Sequence, residues 1–383
     1  MRNIIIAGAS IENLGAESMS CIAIELAQKL YPENRIIIAS TDKKGMGGKV
    51  NYRVLPYNFP TVADYHDSIF SVFARKYLGY HVEKRLEKAL KNTDLIIDIS
   101  GYTFTTKFGM EGVWETLNRL YTAQKLRIRY MVLSQSFGPI DINGFFDRNI
   151  SFLWSKILFK YPEIVEAREQ KSYKFMKNIA GKNLRYKPDM VLLYPKQIPY
   201  HLFRKRIDSG HAHRQDKQVA IIPNEKVINK TKNGKEYYQI LCKIIDDLLE
   251  TGYGVEIIAH CALDIKLCNE LIRYNSGVTF VDCTEYGSSS FDAIVCRYCF
   301  AVASRYHAIV HAYRNYVPVV ALGWENKYND LLDIMSQSEY LFDFREKVCE
   351  EEVVNKIEDM KRNYEDNSKI LKSKIGSLRE TYE

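Results

Sequence analysis

Short, almost purely aliphatic runs alternate along this chain with longer stretches in which apolar residues recur every three or four positions. The runs "NIIIAG" (3–8), "RIIIAS" (35–40), "VNYRVL" (50–55), "DLIIDIS" (94–100), "RYMVLSQS" (129–136) and "EIVEAR" (163–168) read as strands covered on both faces. Helical spacing falls between them, over 16–31, 62–90, 111–125, 145–160 and 169–179. This alternation predicts a mostly parallel sheet wrapped by helices.

The pattern then restarts. After a polar stretch near 196–217, the best linker candidate, come "VAIIP" (219–223), a helix at 236–250, "VEIIAH" (255–260), a helix at 263–273 and "VTFVDC" (278–283). A helix at 289–299, "FAVAS" (300–304), a helix at 306–314 and "VPVVALG" (317–323) complete the series. Tyr237, Leu241, Ile244, Ile245 and Leu248 share one face of the 236–250 helix, and Gly252 and Gly254 close it. The charged tail from 346 carries Val353, Val354, Ile357, Met360, Leu371, Ile375 and Leu378 at roughly helical spacing, which predicts surface helices packing one stripe on the body. The expected architecture is therefore α/β, with two Rossmann-like doubly wound domains facing across a cleft: 1–195, 218–345, and C-terminal helices over 346–383. A chain of 383 residues suits two domains of about 150 to 200 residues each.

Charge and cysteine content narrow the function classes. The net charge of +7 suits nucleic acid, a membrane surface or a small anionic substrate, but the lysines are scattered and no basic arm occurs, so nucleic acid is not expected. "MRNIIIAGAS" is too short an apolar run for a signal-peptide core, and no stretch of about 18 apolar residues occurs, so a cytoplasmic location without a membrane span is expected. Most of the eight cysteines lie in apolar segments, where a thiol behaves as a small hydrophobe. Cys296 and Cys299 form one CxxC without a second pair or histidines at zinc spacing, so no metal is expected.

Chemistry gathers where strands end. Ser304, Arg305, Tyr306 and His307 follow "FAVAS" and open a helix, a place that favours an anion; Arg305 adds planar donors for carboxylate or phosphate. His307 is either a hydrogen-bonded cap neighbour or a proton carrier near neutral pH. His311, one turn on among Ile309, Val310 and Ala312, reads as a satisfied core histidine. Lys327 follows the next strand, as a surface lysine or as a second cation reaching toward Arg305. "GASIENLGAES" is a glycine-bearing strand-to-helix turn but neither GxGxxG nor a Walker A loop; its Asn13 and Glu17 are candidates for hydrogen bonds to ligand hydroxyls. Gln135, in "LSQSFGPI", suits a polyhydroxylated ligand or an ordinary turn.

These residues resemble a known family. "SRYHAIVHAYRNYVPVVALGWENKY" (304–328) is similar to the C-terminal signature of the polysaccharide pyruvyl transferases: an S-R-x-H turn, a helix, a V-P-V strand and a lysine soon after. "EAREQKS" (166–172), "NLGAES" (13–18), "SFGPI" (136–140) and "KPDMVLL" (187–193) resemble further motifs of that family in order and spacing, over about residues 3–335. The pattern departs at Ala16, where aspartate is usual, at Tyr102, in a segment usually G-G-G, at Asn224, within "IPNEK" where an arginine is common, and at Glu169, where aspartate is usual.

The resemblance implies a GT-B-like pair of domains that transfers the enolpyruvyl unit of phosphoenolpyruvate to a sugar, forming a pyruvate ketal and releasing phosphate. It implies no cofactor beyond that donor, and a sugar or lipid-linked glycan as acceptor, with peripheral membrane contact through such a lipid. Carried over, His307 is the catalytic residue and Arg168, Arg305 and Lys327 bind the donor. The chemistry of the residues agrees, because a three-carbon dianion asks for several cations and an enol asks for a proton at C3. Two other classes remain open: a GT-B glycosyltransferase using a nucleotide sugar, and a non-catalytic glycan-binding relative.

Overall fold

The structure, a computed structural model, describes residues 2–11, 13–40, 50–56, 59, 76–78, 84–107, 109–141, 145–196, 198 and 215–382. They divide into two compact units, one built from 2–11 and 19–190, the other from 13–18, 191–198 and 215–382.

The first unit carries seven parallel strands: β1 (Asn3–Ala7), β2 (Arg35–Ser40), β3 (Arg53–Pro56), β4 (Thr93–Asp98), β5 (Arg129–Gln135), β6 (Ile164–Ala167) and β7 (Leu184–Tyr186). Their order is β3-β2-β1-β4-β5-β6-β7. Every residue of β1 is buried, as its unbroken aliphatic run requires of a strand covered on both faces. Helices α1 (Leu14–Leu30), α2 (Lys84–Leu90), α3 (Glu111–Leu126), α4 (Phe145–Leu158) and α5 (Gln170–Met176) lie between its strands, the first turn of α1 being counted with the second unit, and α6 (Met190–Leu193) follows β7 at the passage to that unit. The sequence order reverses between β1 and β4, and there Gly8, at φ +80°, passes so close to Ser100 that a Cβ would lie 2.5 Å from its Cα. Only glycine fits this crossing of two strand ends.

The second unit repeats the plan with β8 (Gln218–Ile222), β9 (Gly254–Ala259), β10 (Thr279–Asp282), β11 (Phe300–Ala303), β12 (Val319–Gly323) and β13 (Leu341–Asp343), in the order β10-β9-β8-β11-β12-β13, all parallel. Its helices are α7 (Glu225–Lys230), α8 (Gly234–Glu250), α9 (Ile265–Tyr274), α10 (Gly287–Val295), α11 (Tyr306–Arg314), α12 (Asn326–Ile334) and α13 (Glu350–Tyr382). The α8 face foreseen from spacing is buried, and Gly252 at φ +79° ends the helix in the left-handed conformation. This strand order places the switch point between β8 and β11, where ligands of open α/β sheets bind beyond the carboxyl ends.

Several expectations shift in detail. The tail is one helix of 33 residues rather than several, because 350–382 contains no proline to break it; Val353, Ile357, Met360, Leu371 and Ile375 form its buried stripe. The short elements β7, β13, α6 and α7 carry too few periodic positions to be foreseen, and α12, as long as α10 and α11, was not foreseen either. Of the helix expected at 62–90, residues 76–78 and α2 are helical and most of the rest lies outside the described residues, as does most of the 196–217 linker candidate.

Candidate functional site

At the switch point of the second sheet, the buried run Phe300–Ala303 delivers Ser304 and Arg305 to the carboxyl edge. A lattice of buried polar groups fixes this edge. The Asn224 side chain donates to Ser304 O at 2.9 Å and accepts from Lys226 N at 3.0 Å, capping α7. Tyr328 OH donates to the same Ser304 carbonyl at 2.8 Å, and Tyr237 OH lies 2.7 Å from Ser304 Oγ while accepting from Asn224 N.

Arg305 projects from this frame and forks onto Asp264, its Nε donating to Oδ2 at 2.8 Å and its Nη2 to Oδ1. Burial opposes the Arg305 charge, but Asp264 outweighs it and holds the guanidinium pKa above its ordinary value. Asp264 in turn accepts from Glu225 N at 3.1 Å, tying the β8 edge to the loop after β9.

Further cations converge on Arg305. Lys226 is half-buried, and lost hydration, then the charges of Arg305, Lys230 and Lys327, pull its pKa below the ordinary lysine value. Lys327, in the first turn of α12, sits 2.9 Å from Glu325 and 5.3 Å from the centroid of Tyr306. His307 stands two residues after Arg305, edge-on to Tyr306 at 5.3 Å. Gly15, at the start of α1, backs it: a Cβ there would lie 2.0 Å from the His307 Cγ. The arrangement offers cationic hydrogen-bond donors beside an imidazole, which is what binding a small anion and moving a proton require.

Behind this edge lies a fully buried network. His311 Nε2 is 2.9 Å from Ser18 Oγ and its Nδ1 2.7 Å from Asp292 Oδ1, while Asp292 also pairs with Arg314. The serine, histidine and carboxylate stand in triad order, but all are closed off from solvent, and Ser18 donates to Leu14 O. His311 is thus a satisfied core histidine. Glu17 is buried too, accepting from Ser288 N at 2.7 Å and Ser288 Oγ at 2.8 Å; burial raises its pKa to about 7 against those bonds. His260, just past β9, is 2% exposed, and neither ring nitrogen has a hydrogen-bond partner among the described residues. Burial foremost, then the charges of His311 and Arg305, keeps it neutral.

The remaining sequence candidates divide between the units. Asn13, in the second unit, accepts from Ala16 N at 3.0 Å, capping α1. Gln135 and Arg168 belong to the first unit. Gln135 is buried and donates to Asp98 Oδ1 at 2.9 Å. Arg168 Nε donates to Ser136 Oγ at 2.9 Å and lies 3.2 Å from Glu169 Oε1, while Nη1 lies 3.0 Å from Asp189 Oδ2. Ser172 Oγ donates to Glu169 Oε2 at 2.7 Å and accepts from Phe137 N. The motifs "EAREQKS", "SFGPI" and "KPD" therefore meet in one buried knot.

Sequence reasoning missed Lys226, Asp264 and His260. His260 read only as the last residue of the strand expected at 255–260, Asp264 only as part of the helix expected at 263–273, and Lys226 only as part of a departing motif.

The model of the family described as "Polysaccharide pyruvyl transferase" matches residues 13–326. The chain belongs to that family. It is a transferase of polysaccharide pyruvylation. No curated protein matches it. Among solved structures it is similar to the spinosyn rhamnosyltransferase SpnG complexed with thymidine diphosphate, at 12% identity and TM-score 0.57, over 98% of this chain and 96% of that one. The UDP-GlcNAc 2-epimerase of Methanocaldococcus jannaschii follows at 13% and 0.54, over 94% and 92%, and Anabaena HepE in complex with UDP at 11% and 0.55, over 100% and 96%. At such identities the likeness shows the fold alone: the pyruvyl transferase chain has the two parallel-sheet α/β domains of GT-B enzymes. Among its described residues no helix is long and apolar enough to cross a membrane.

Proposed function

We propose that this pyruvyl transferase takes its donor as phosphoenolpyruvate and closes a pyruvate ketal across two hydroxyls of a sugar acceptor. One observation carries the reading: Arg305, Lys226 and Lys327 gather at the carboxyl edge of β8, β11 and β12, beside His307. A phosphate and a carboxylate on three carbons need such a surplus of cations.

In this reading the cations hold the donor. The first acceptor hydroxyl adds to C2 as His307 delivers a proton to C3, which becomes a methyl group, and the imidazole regains a proton from that hydroxyl. The C2–O bond to phosphate then breaks, and the second hydroxyl closes the ketal while its proton leaves with phosphate. His307 contributes about 10²–10⁴-fold. Arg168, shared among Asp189, Glu169 and Ser136, enters as a positioning residue of the first unit, and Asn13, Glu17 and Gln135 enter as framework.

The test is phosphate release from phosphoenolpyruvate over a panel of lipid-linked and nucleotide-linked sugars, with wild type and His307→Gln. Acceptor-dependent release that drops by about 10²-fold or more in the variant is expected. Release that is equal in the two proteins sinks the role of His307. No release from any acceptor, with a nucleotide sugar raising the melting temperature instead, overturns the donor.

A further inference from the structure

The helix α4 of the first unit is apolar on two sides: Leu158 is buried and Ile150 and Trp154 pack on the core, yet further large apolar residues point outward. Ser151 and Ser155 face inward and are buried, each bonding back to a carbonyl of its own helix, from Ser151 to Arg148 O at 3.1 Å and from Ser155 to Ser151 O at 2.6 Å. Phe152, Leu153 and Ile157 face outward, 39%, 57% and 44% exposed. A soluble helix packs its large apolar residues inside and its small hydroxyls outside. Three of the large exposed apolar residues thus fall within six consecutive positions of one helix, and clustering of this kind marks an interaction surface.

Cations are interleaved with them. Arg148, Lys156 and Lys160 are exposed along the same stretch, with Lys156 Nζ lying 4.7 Å from the Phe152 ring centroid. No acidic residue occurs between 148 and 160. At 1.5 Å per residue the face runs about 18 Å. A second copy of this chain would set these cations against their own kind. A surface combining acyl chains with negative headgroups matches both features at once, since the apolar groups enter the headgroup boundary while the cations stay at its level.

We propose that this face of α4 docks on an anionic lipid surface. The inference rests on the first unit alone and does not depend on which donor the enzyme uses.

The test is co-sedimentation of the full chain with vesicles of phosphatidylcholine alone and of equal parts phosphatidylcholine and phosphatidylglycerol. Wild type is expected to sediment with the anionic vesicles, less so as salt is added, and hardly with the neutral ones. Leu153→Ser with Ile157→Ser should abolish binding, and Lys156→Gln alone should weaken it about fivefold. These side chains are exposed, so unchanged melting temperatures confirm that the variants fold. Failure of wild type to sediment with anionic vesicles at low salt overturns the proposal, as does wild-type binding by the double variant. Light scattering that shows a dimer dissolved by the same double variant would overturn it in favour of a second copy.

Discussion

Arg168 and Arg305 occupy matching places, each just past the carboxyl end of a buried parallel strand, β6 in one unit and β11 in the other. Their surroundings differ in charge balance. Arg168 meets two buried carboxylates, Asp189 and Glu169, so its charge is consumed inside the protein. Arg305 meets one, Asp264, and has Lys226 and Lys327 for neighbours; with Lys327 paired to Glu325, these cations still outnumber the carboxylates they meet, so the locality stays cationic. An arginine at a strand end is therefore no sign of a ligand by itself; the surplus of cations around it is.

The sharpest way to break the contrast is Arg168→Ala. Removing it deprives two buried carboxylates of this cation, and loss of one partner of a buried pair costs about 3–5 kcal/mol. Chemical denaturation should show a fall of that order. A change within about 0.5 kcal/mol, as for ordinary surface substitutions, would mean that the knot is not holding the unit together.

Glu17 carries the contrast to a carboxylate. In the native state its pKa stands at about 7, against 4.5 for an ordinary glutamate. Between those values the native protein keeps a proton that the unfolded chain has released, so this group makes stability fall as pH rises through the window. At 1.36 kcal/mol per pKa unit the full effect is about 3 kcal/mol. Glu17→Gln keeps an acceptor for Ser288 without the titration. The variant should therefore lose that part of the decline, with its melting temperature gaining on wild type from pH 5 to pH 8. Parallel pH profiles for the two proteins would refute the assignment.

Gly15 tests how closely the site is fitted. Alanine favours a helix over glycine by about 1 kcal/mol, yet its Cβ would collide with the His307 ring, which must then move. A displacement of about 1 Å costs roughly 10²-fold in rate. Gly15→Ala should lower turnover on that scale and lower the melting temperature as well, because the atoms it meets include His307 Cβ and Cγ, which lie next to the backbone and cannot swing aside freely. Wild-type turnover would show that the ring relocates without consequence.

Much of this was legible in the sequence, for reasons that also set its limit. Ile4–Ile6 and Ala301–Ala303 are local apolar runs, and a run announces its own strand. Arg305 and His307 follow such a run directly, so their place at a sheet edge could be read. Asp264 lies 41 residues from the arginine it pairs with, and only the strand order, which sets β9 beside β8 and β8 beside β11, brings them together. Lys226 depends on the same non-local step. Glu17 and Gln135 were legible as polar residues near strand ends, but not their burial, because whether a side chain faces solvent or a neighbouring element is settled by packing from distant segments.

Lys226 gives the smallest and most selective test, because its ammonium forms no close ion pair among the described residues, feeling Asp264 only through its charge, and its value lies in the surplus it adds. Lys226→Met keeps the apolar stem and removes the charge, which should raise KM for phosphoenolpyruvate about tenfold, or about 1.4 kcal/mol of binding, with little change in kcat. Stability should hold or rise, since the half-buried ammonium is opposed first by its own desolvation. The lowered pKa adds a signature that a structural role would not produce. As pH rises, wild type loses this charge earlier than an ordinary lysine would, so donor KM should climb on the alkaline side, and Lys226→Arg, charged throughout, should delay that climb. Equal alkaline limbs for wild type and Lys226→Arg would place the ammonium outside the donor site and leave Arg305 and Lys327 to hold the anion between them.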